Sequence, residues 1–362
     1  MSLNWLFATG FRNLIDTQLE LKPGINLLFG ENGSGKTSLL ESAYFLSSAR
    51  SFRTTLHDPL IQRGQDGCLV RGELERQGRT WRVGITRDRS GERQIRINDE
   101  SCQKASELAS LLPTLVLSPE SLDMLLGPPE QRRRFLNWGL FHVEPGFTVR
   151  WEEANRALRQ RNRILREGIS TPTELNAWSI QLAGLAEGLD LARGLYIEQY
   201  RPVFLEVVSQ LSGMSGVSLE YHRGWGEDTT LLEVYERDAE SDKKRGFTQK
   251  GFQRADVRIT INGQPAVKVC SRGELKALVW AMILAQGAVA NQQEDRETLY
   301  LIDDLASEFD VDHRRRVGDY LAATGKQVLL TGVEKKALMA SCDGKFERLF
   351  HVEQGRAKVR EN

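Results

Sequence analysis

Residues 25–46 read INLLF, then Gly30-Glu31-Asn32-Gly33-Ser34-Gly35-Lys36-Thr37, then SLLESAYFL. The middle segment fits the pattern GxxxxGK[ST]. Its glycines let the backbone curl so that successive N–H groups converge on one point, and the helix that follows offers its positive end to the same point. Lys36 is placed to reach the outer phosphates of a nucleoside triphosphate, and Thr37 to ligate Mg²⁺. A glycine-rich turn that merely caps a helix is the competing reading. The apolar strand before the loop and the helix after it are the context that a phosphate-binding loop requires.

A second segment reads Leu299-Tyr300-Leu301-Ile302-Asp303-Asp304. Four apolar residues predict a strand buried on both faces, ending in two acids. Taken alone, such an ending is most often a solvated turn. Beside a phosphate-binding loop, Asp303 becomes a Mg²⁺ ligand and Asp304 a group that orients or deprotonates the attacking water. A third segment, Ser271-Arg272-Gly273-Glu274-Leu275-Lys276, precedes an apolar helix, and Ser271 lies 32 residues before Asp303. Ser271 and Glu274 have capping-box spacing. The same serine, glycine and helix start also suit a second phosphate-binding end. The order of the three segments resembles ABC-type ATPases. In those enzymes the serine-glycine signature, here Ser271 and Gly273, meets the γ-phosphate held by a partner subunit. Ser307-Glu308-Phe309-Asp310 falls where such enzymes place a loop that reaches across the dimer. Thr331 falls where many carry a switch histidine.

Around these segments the chain divides. Residues 1–117 and 252–362 are expected to form an α/β, ABC-type P-loop head with a mixed sheet and an antiparallel meander. In the meander, CLVRGELER, RTWRVGITRD and RQIRINDES are joined by turns at Gln77-Gly78 and Ser90-Gly91. The first 30 residues alternate like paired strands. Residues 118–251 are expected to form a mostly helical second lobe inserted in the head. One of its helices opens at Pro128-Pro129. Thr171 and Glu174 cap another, along which Leu175, Trp178, Leu182, Leu185, Leu189, Ala192 and Tyr196 recur at steps of three and four. A matching seam, Phe147, Trp151, Ala154, Leu158 and Leu165, is interrupted by Arg161 and predicts a short antiparallel coiled-coil hairpin. Residues 218–262 read as mixed strand and loop.

The chain has 362 residues, with 49 basic and 49 acidic side chains. Zero net charge does not by itself announce a polyanion partner, so any attraction to DNA must be carried by local patches. Cys68, Cys102, Cys270 and Cys342 are dispersed without a CxxC pair, which fits free thiols rather than a disulfide framework or zinc site. The N-terminal MSLNWLFATGF lacks signal-peptide order, and the apolar run from Ala277 to Ala290 is too short to span a bilayer. A cytoplasmic protein without a membrane partner is expected.

With these segments in hand, the sequence resembles the RecF family of DNA-repair ATPases along nearly its whole length. FRN at Phe11 to Asn13, GENGSGKT, RSFR at Arg50 to Arg53, SPESL at Ser118 to Leu122, RRRFLNWG at Arg132 to Gly139, SRGELK and LYLIDDLASEFD follow that family's order. The resemblance implies ATP and Mg²⁺ as cofactors and an ATP-induced homodimer that clamps DNA near single-strand gaps. It also implies slow DNA-stimulated hydrolysis, and cooperation with RecO and RecR in loading RecA during replication, DNA damage and the SOS response. It places Arg12 near the nucleotide and gives Gly30 to Thr37, Asp303 and Asp304 the P-loop roles. Two departures stand out. Gly251-Phe252-Gln253-Arg254-Ala255-Asp256 lacks the Pro and His usual before the signature, and Glu274 stands where Gln is usual. Candidate phosphate contacts are Arg50 and Arg53, Arg132 to Arg134, the series Arg156, Arg159, Arg163 and Arg166, and Lys243 to Arg245. An SMC- or Rad50-type chromosome organiser shares the head but needs long coiled-coil arms. The motor subunit of a membrane transporter is a further, weaker alternative.

Overall fold

The computed structural model describes residues 1–168, 171–294 and 296–360. Strands β1 (Ser2–Thr9) and β2 (Thr17–Glu20) pair antiparallel, as their alternation predicts. β1 also pairs with β4 (Gly67–Arg76), which continues through β5 (Arg79–Asp88), β6 (Arg93–Ile97) and β7 (Glu100–Cys102), giving the order β2-β1-β4-β5-β6-β7. The expected meander is present. Gln77 and Gly78, with φ of 52° and 68°, form the two-residue turn whose twist suits a tight hairpin.

The apolar run Ile25–Phe29 (β3) does not join the N-terminal hairpin as its proximity in sequence suggests. It lies inside a second sheet, parallel to Val328–Gly332 (β13) and to Arg348–Glu353 (β14). Thr114–Leu117 (β8) and Leu299–Ile302 (β12) extend that sheet on one side, and Arg356–Arg360 (β15) closes the other edge antiparallel. The order is β15-β14-β3-β13-β12-β8. Parallel strands covered on both faces need near-continuous apolar runs, and the four residues of β12 are each at most 1% exposed.

The helix Lys36–Ser48 lies between the two sheets. Its Leu39, Leu40, Ala43, Phe45 and Leu46 share one core with Leu3, Val70 and Ile85 of the first sheet and with Leu28, Leu301 and Leu329 of the second. A helix with apolar neighbours on both sides is apolar around most of its circumference, which SLLESAYFL is. The helix Arg272–Asn291 is long and apolar enough to cross a membrane by length and composition, yet Ala277 to Gly287 are all buried.

The chain folds as two compact units, Met1–Ser121 with Val207–Gly213 and Lys276–Asn362, and Leu122–Glu206 with Met214–Leu275. Residues 252–275, expected in the head, therefore fall in the second unit. The reason is strand pairing: Asp256–Ile261 (β10) pairs antiparallel with Val217–His222 (β9), and Gln264–Pro265 (β11) follows. Residues 218–262 also hold two helices the sequence reading did not foresee, Leu231–Arg237, opened by a Thr230–Glu233 capping box, and Ala239–Arg245. The helices Phe147–Glu167 and Pro172–Ser212 occupy the expected hairpin positions. Leu182, Leu189, Ala192 and Tyr196 are buried along the predicted seam, whereas Trp151 is 36% exposed. Arg161 does not interrupt the seam. It is fully buried within it, donating to Ser179 at 3.0 Å, Asp242 at 2.8 Å and Thr248 at 2.6 Å, with its guanidinium 4.3 Å from the centre of the Tyr235 ring.

Candidate functional site

In the first unit, β3 delivers the chain into Gly30–Gly35, and the helix begins at Lys36. Gly35 adopts φ 115°, and a side chain on Gly30 would lie 2.1 Å from the Val352 carbonyl oxygen. The loop can follow this path only because both are glycine. Glu31, Asn32 and Gly33 are exposed, and Ser34, Gly35 and Lys36 are buried beneath them. The Lys36 ammonium donates to the carbonyls of Gly30 at 2.7 Å and Glu31 at 2.8 Å. Burial lowers its pKa, against the opposing pull of Asp304 and Asp303. The buried hydroxyl of Ser34 has no hydrogen-bond partner among the described residues. A buried orphan hydroxyl, an exposed glycine-rich turn at Glu31 to Gly33 and a lysine folded onto loop carbonyls fit a phosphate ligand.

Thr37, Asp303 and Thr331 form one cluster. The Thr37 hydroxyl lies 3.1 and 2.9 Å from the two Asp303 carboxylate oxygens, and the Thr331 hydroxyl donates to Asp303 Oδ1 at 2.8 Å. Burial raises the Asp303 pKa, opposed by these two hydroxyl bonds. One carboxylate and one hydroxyl, all oxygen donors, suit a hard divalent cation such as Mg²⁺. Asp304 follows in the left-handed region at φ 52°, and its amide donates to Thr331 at 2.9 Å. A non-glycine residue held there is strained. Thr331 therefore fastens both acids, a relation visible only once β12 and β13 are paired. The Asp304 carboxylate itself carries no hydrogen bond among the described residues.

Three supports were missed by sequence reasoning. Asn13 donates from its side chain to the Gly33 carbonyl at 2.9 Å and accepts from Ser38 at 2.7 Å, bracing the loop. The β14–β15 turn braces it from another side, with the Gly355 amide donating to the Ser34 carbonyl at 2.8 Å. Glu41 is fully buried in the loop's helix. It accepts from Arg12 Nε at 2.8 Å and Nη2 at 2.6 Å, and from the Ser51 hydroxyl, with Arg53 at 3.8 Å. Arg12 is thus held by an acid rather than left free. A charged residue inside an otherwise apolar helical run was the one available signal.

The signature segment lies at a helix start in the second unit, with Ser271, Arg272, Gly273 and Glu274 all exposed. Among the described residues, nothing from outside its own helix backbone lies within 4 Å of where a Gly273 side chain would be. Glu274 turns into the capping box. In the first unit, Lys276 pairs with Glu308 at 3.0 Å, and Phe309 packs edge-on against Trp280 at 4.9 Å. The loop after the acidic strand is thereby pinned to the signature helix.

The candidate basic contacts separate. Arg156, Arg159, Arg163 and Arg166 are all exposed, as are Lys243 to Arg245. Arg132 is structural: it pairs with Asp256 at 2.7 Å and donates to the Met124 and Gly127 carbonyls, both at 3.1 Å. Arg133 donates to the Ala255 carbonyl at 3.2 Å, and Arg134 pairs with Glu130 at 2.6 Å.

A family model described as RecF/RecN/SMC N terminal domain matches residues 2–358. DNA replication and repair protein RecF of Pseudomonas putida strain GB-1 is 42% identical over 358 residues, 98% of each chain. The protein of that name from Pseudomonas fluorescens strain Pf-5 has the same identity and coverage. Among solved structures, the recombination mediator protein RecF-ATPrS in the RecFOR pathway superposes with TM-score 0.86 over 99% of this chain and 98% of that one, at 22% identity. An SMC head bound to the C-winged helix domain of ScpA superposes with TM-score 0.62 at 15% identity, over 99% and 97% of the two chains. The chain has the mixed α/β fold of the ABC-type head.

Proposed function

This chain belongs to the RecF family within the RecF/RecN/SMC group of P-loop ATPases, and on that premise we propose that it is an ATP-switched DNA-binding protein of recombinational repair. Lys36 and the loop Gly30 to Thr37 hold the phosphates of ATP, with Arg12 nearby. Thr37 and Asp303 would hold Mg²⁺, which when bound would supply neutralising charge to the nucleotide's phosphates. Asp304, unengaged and braced through its amide by Thr331, orients the attacking water and accepts its proton. Its side chain is one methylene shorter than glutamate, so turnover is slow and the ATP-bound state acts as a timer. Ser271 and Gly273 complete the nucleotide site of a second copy, so that ATP closes a homodimer around DNA at single-strand gaps. RecO and RecR are the expected partners and RecA loading the outcome, in the cytoplasm.

The observation that supports this reading most is the exposed start of the signature helix. A phosphate held by another copy can approach Ser271 and Gly273 without local rearrangement of the backbone. An SMC-like organiser is disfavoured, because the helix Phe147–Glu167 has only 21 residues, about 30 Å at helical rise. The test is sedimentation of the Asp304→Asn variant with and without ATP and gapped DNA, alongside Lys36→Met. ATP should drive the first into a DNA-bound dimer and leave the second monomeric. Undiminished ATP-dependent DNA binding by Lys36→Met contradicts the reading.

A further inference from the structure

The altered segment Gly251–Asp256 helps to build a cleft of about 650 Å³ in the second unit. Two backbone turns meet there. Gly224 has φ 101° and Gly251 φ 128°, and a side chain on Gly224 would lie 2.4 Å from the Gly251 carbonyl oxygen. Only two glycines permit this approach, and it sets the 222–227 loop against the 249–256 segment.

Arg133, Arg223, Trp225, Lys250, Arg254 and Arg258 are among the residues lining the cleft. Of its two acids, Asp256 is neutralised by Arg132 at 2.7 Å, which leaves Glu227. Arg223 is committed elsewhere: it pairs with Asp190 at 3.9 Å, donates to the Gly226 and Thr229 carbonyls and lies over the Trp225 ring at 4.8 Å. Lys250, Arg254 and Arg258 are exposed and form no salt bridge among the described residues, although Arg258 is in register with Glu220. The indole N–H of Trp225, a residue only 8% exposed, has no acceptor among the described residues. Four cations with no salt bridge among the described residues, Arg133, Lys250, Arg254 and Arg258, against the one such acid Glu227, in a chain of zero net charge, mark a site for a phosphate-bearing ligand. Guanidinium groups suit the fork geometry of phosphate oxygens.

We propose that this cleft binds the phosphodiester backbone of a nucleic-acid strand, through Lys250, Arg254 and Arg258 at its rim. The proposal rests on the DNA-binding reading above and adds a location and a ligand chemistry to it. A concave site of this size accepts one or two nucleotides of a flexible strand, so single-stranded DNA is the favoured form.

The test is fluorescence anisotropy of full-length protein with ATP, using labelled oligothymidylate over a salt series. It compares wild type, Lys250→Gln/Arg258→Gln, Arg254→Gln, and a charge-matched control, Arg79→Gln/Lys104→Gln. Thermal melting checks that each variant is folded, and Arg254→Gln reads the cleft independently should the double variant fail to fold. The double variant should bind about tenfold more weakly at moderate salt, with a salt slope shallower by about 1.4, the value for two lost phosphate contacts. The control should match wild type. Equal loss in the control, or none in any cleft variant, overturns the proposal while leaving DNA binding intact. Absence of DNA binding by wild type instead sinks the functional reading itself. Displacement by polyglutamate as effective as by unlabelled oligothymidylate would assign the cleft to an acidic protein and overturn it. Equally effective displacement by thymidine monophosphate would assign it to a free nucleotide and overturn it as well.

Discussion

One carboxylate oxygen of Glu274 accepts both the amide and the hydroxyl hydrogen of Ser271, each at 2.7 Å. The bonds from Ser271 hold the Glu274 pKa below the ordinary carboxylate value. The serine proposed to meet a partner's γ-phosphate is thus already donating to an acid on its own chain, and that acid keeps its charge at neutral pH. A carboxylate at this place opposes an incoming phosphate twice, by occupying the donor and by repulsion. Glu274→Gln should therefore tighten ATP-dependent dimerisation, by about fivefold to tenfold, measured by sedimentation at fixed ATP. The difference should shrink at high salt. The sign with pH follows from the depressed pKa: the native Ser271–Glu274 contact persists above the ordinary carboxylate range and is lost as pH falls through the lowered value. An unchanged dimer constant in Glu274→Gln would show that the contact does not gate assembly.

Thr331 bonds to the Asp303 carboxylate and receives the Asp304 amide, so Thr331→Val removes both contacts at constant shape. The loss of about 1–3 kcal/mol that accompanies an unpaired buried group falls here on the two acids that act on the nucleotide. Single-turnover hydrolysis should drop by about 10- to 100-fold, with ATP affinity changed by less than about threefold. Equal losses in both would make Thr331 a binding residue.

Gly355 separates close packing from backbone strain. It has φ +75°, and a side chain there would lie 2.0 Å from the Asn13 carbonyl oxygen, whereas Gly344 has φ +72° with nothing within 4 Å of an added side chain among the described residues. Gly344→Ala should incur only the left-handed strain, about 1 kcal/mol. Gly355→Ala should destabilise by about 2 kcal/mol more, and it alone should weaken ATP binding, because Asn13 braces the phosphate loop. Urea unfolding and nucleotide titration of the pair decide this.

Arg161 and Asp242 are both fully buried and joined at 2.8 Å. Arg161→Met leaves the acid unpaired and should cost about 3–5 kcal/mol in denaturant unfolding. Arg161→Met/Asp242→Leu should be less destabilised than either single variant. Additive losses would mean that Thr248, Ser179 and Tyr235 stabilise the arginine more than the acid does.

What the chain declares by local pattern alone is the phosphate loop, the acidic strand end, the signature helix start and the meander. Each is written in a short run whose residue types and period act on their own neighbours: Gly30, Gly33 and Gly35 give their loop the freedom to curl, Leu299 to Ile302 are apolar at every position, and Ser271 and Glu274 cap their own helix. What only the tertiary structure decided depends on residues distant in sequence. β3 is drawn away from β2 because β13 and β14 offer it two parallel partners. Arg161 reads as a break in a seam until Asp242 and Thr248 arrive to satisfy it. Arg132 reads as a phosphate contact until Asp256 claims it. A charged side chain carries no local mark of whether it will meet solvent, a ligand or a buried counter-ion. That outcome is set by which distant groups the fold brings within hydrogen-bond reach, since only they can offset the loss of water.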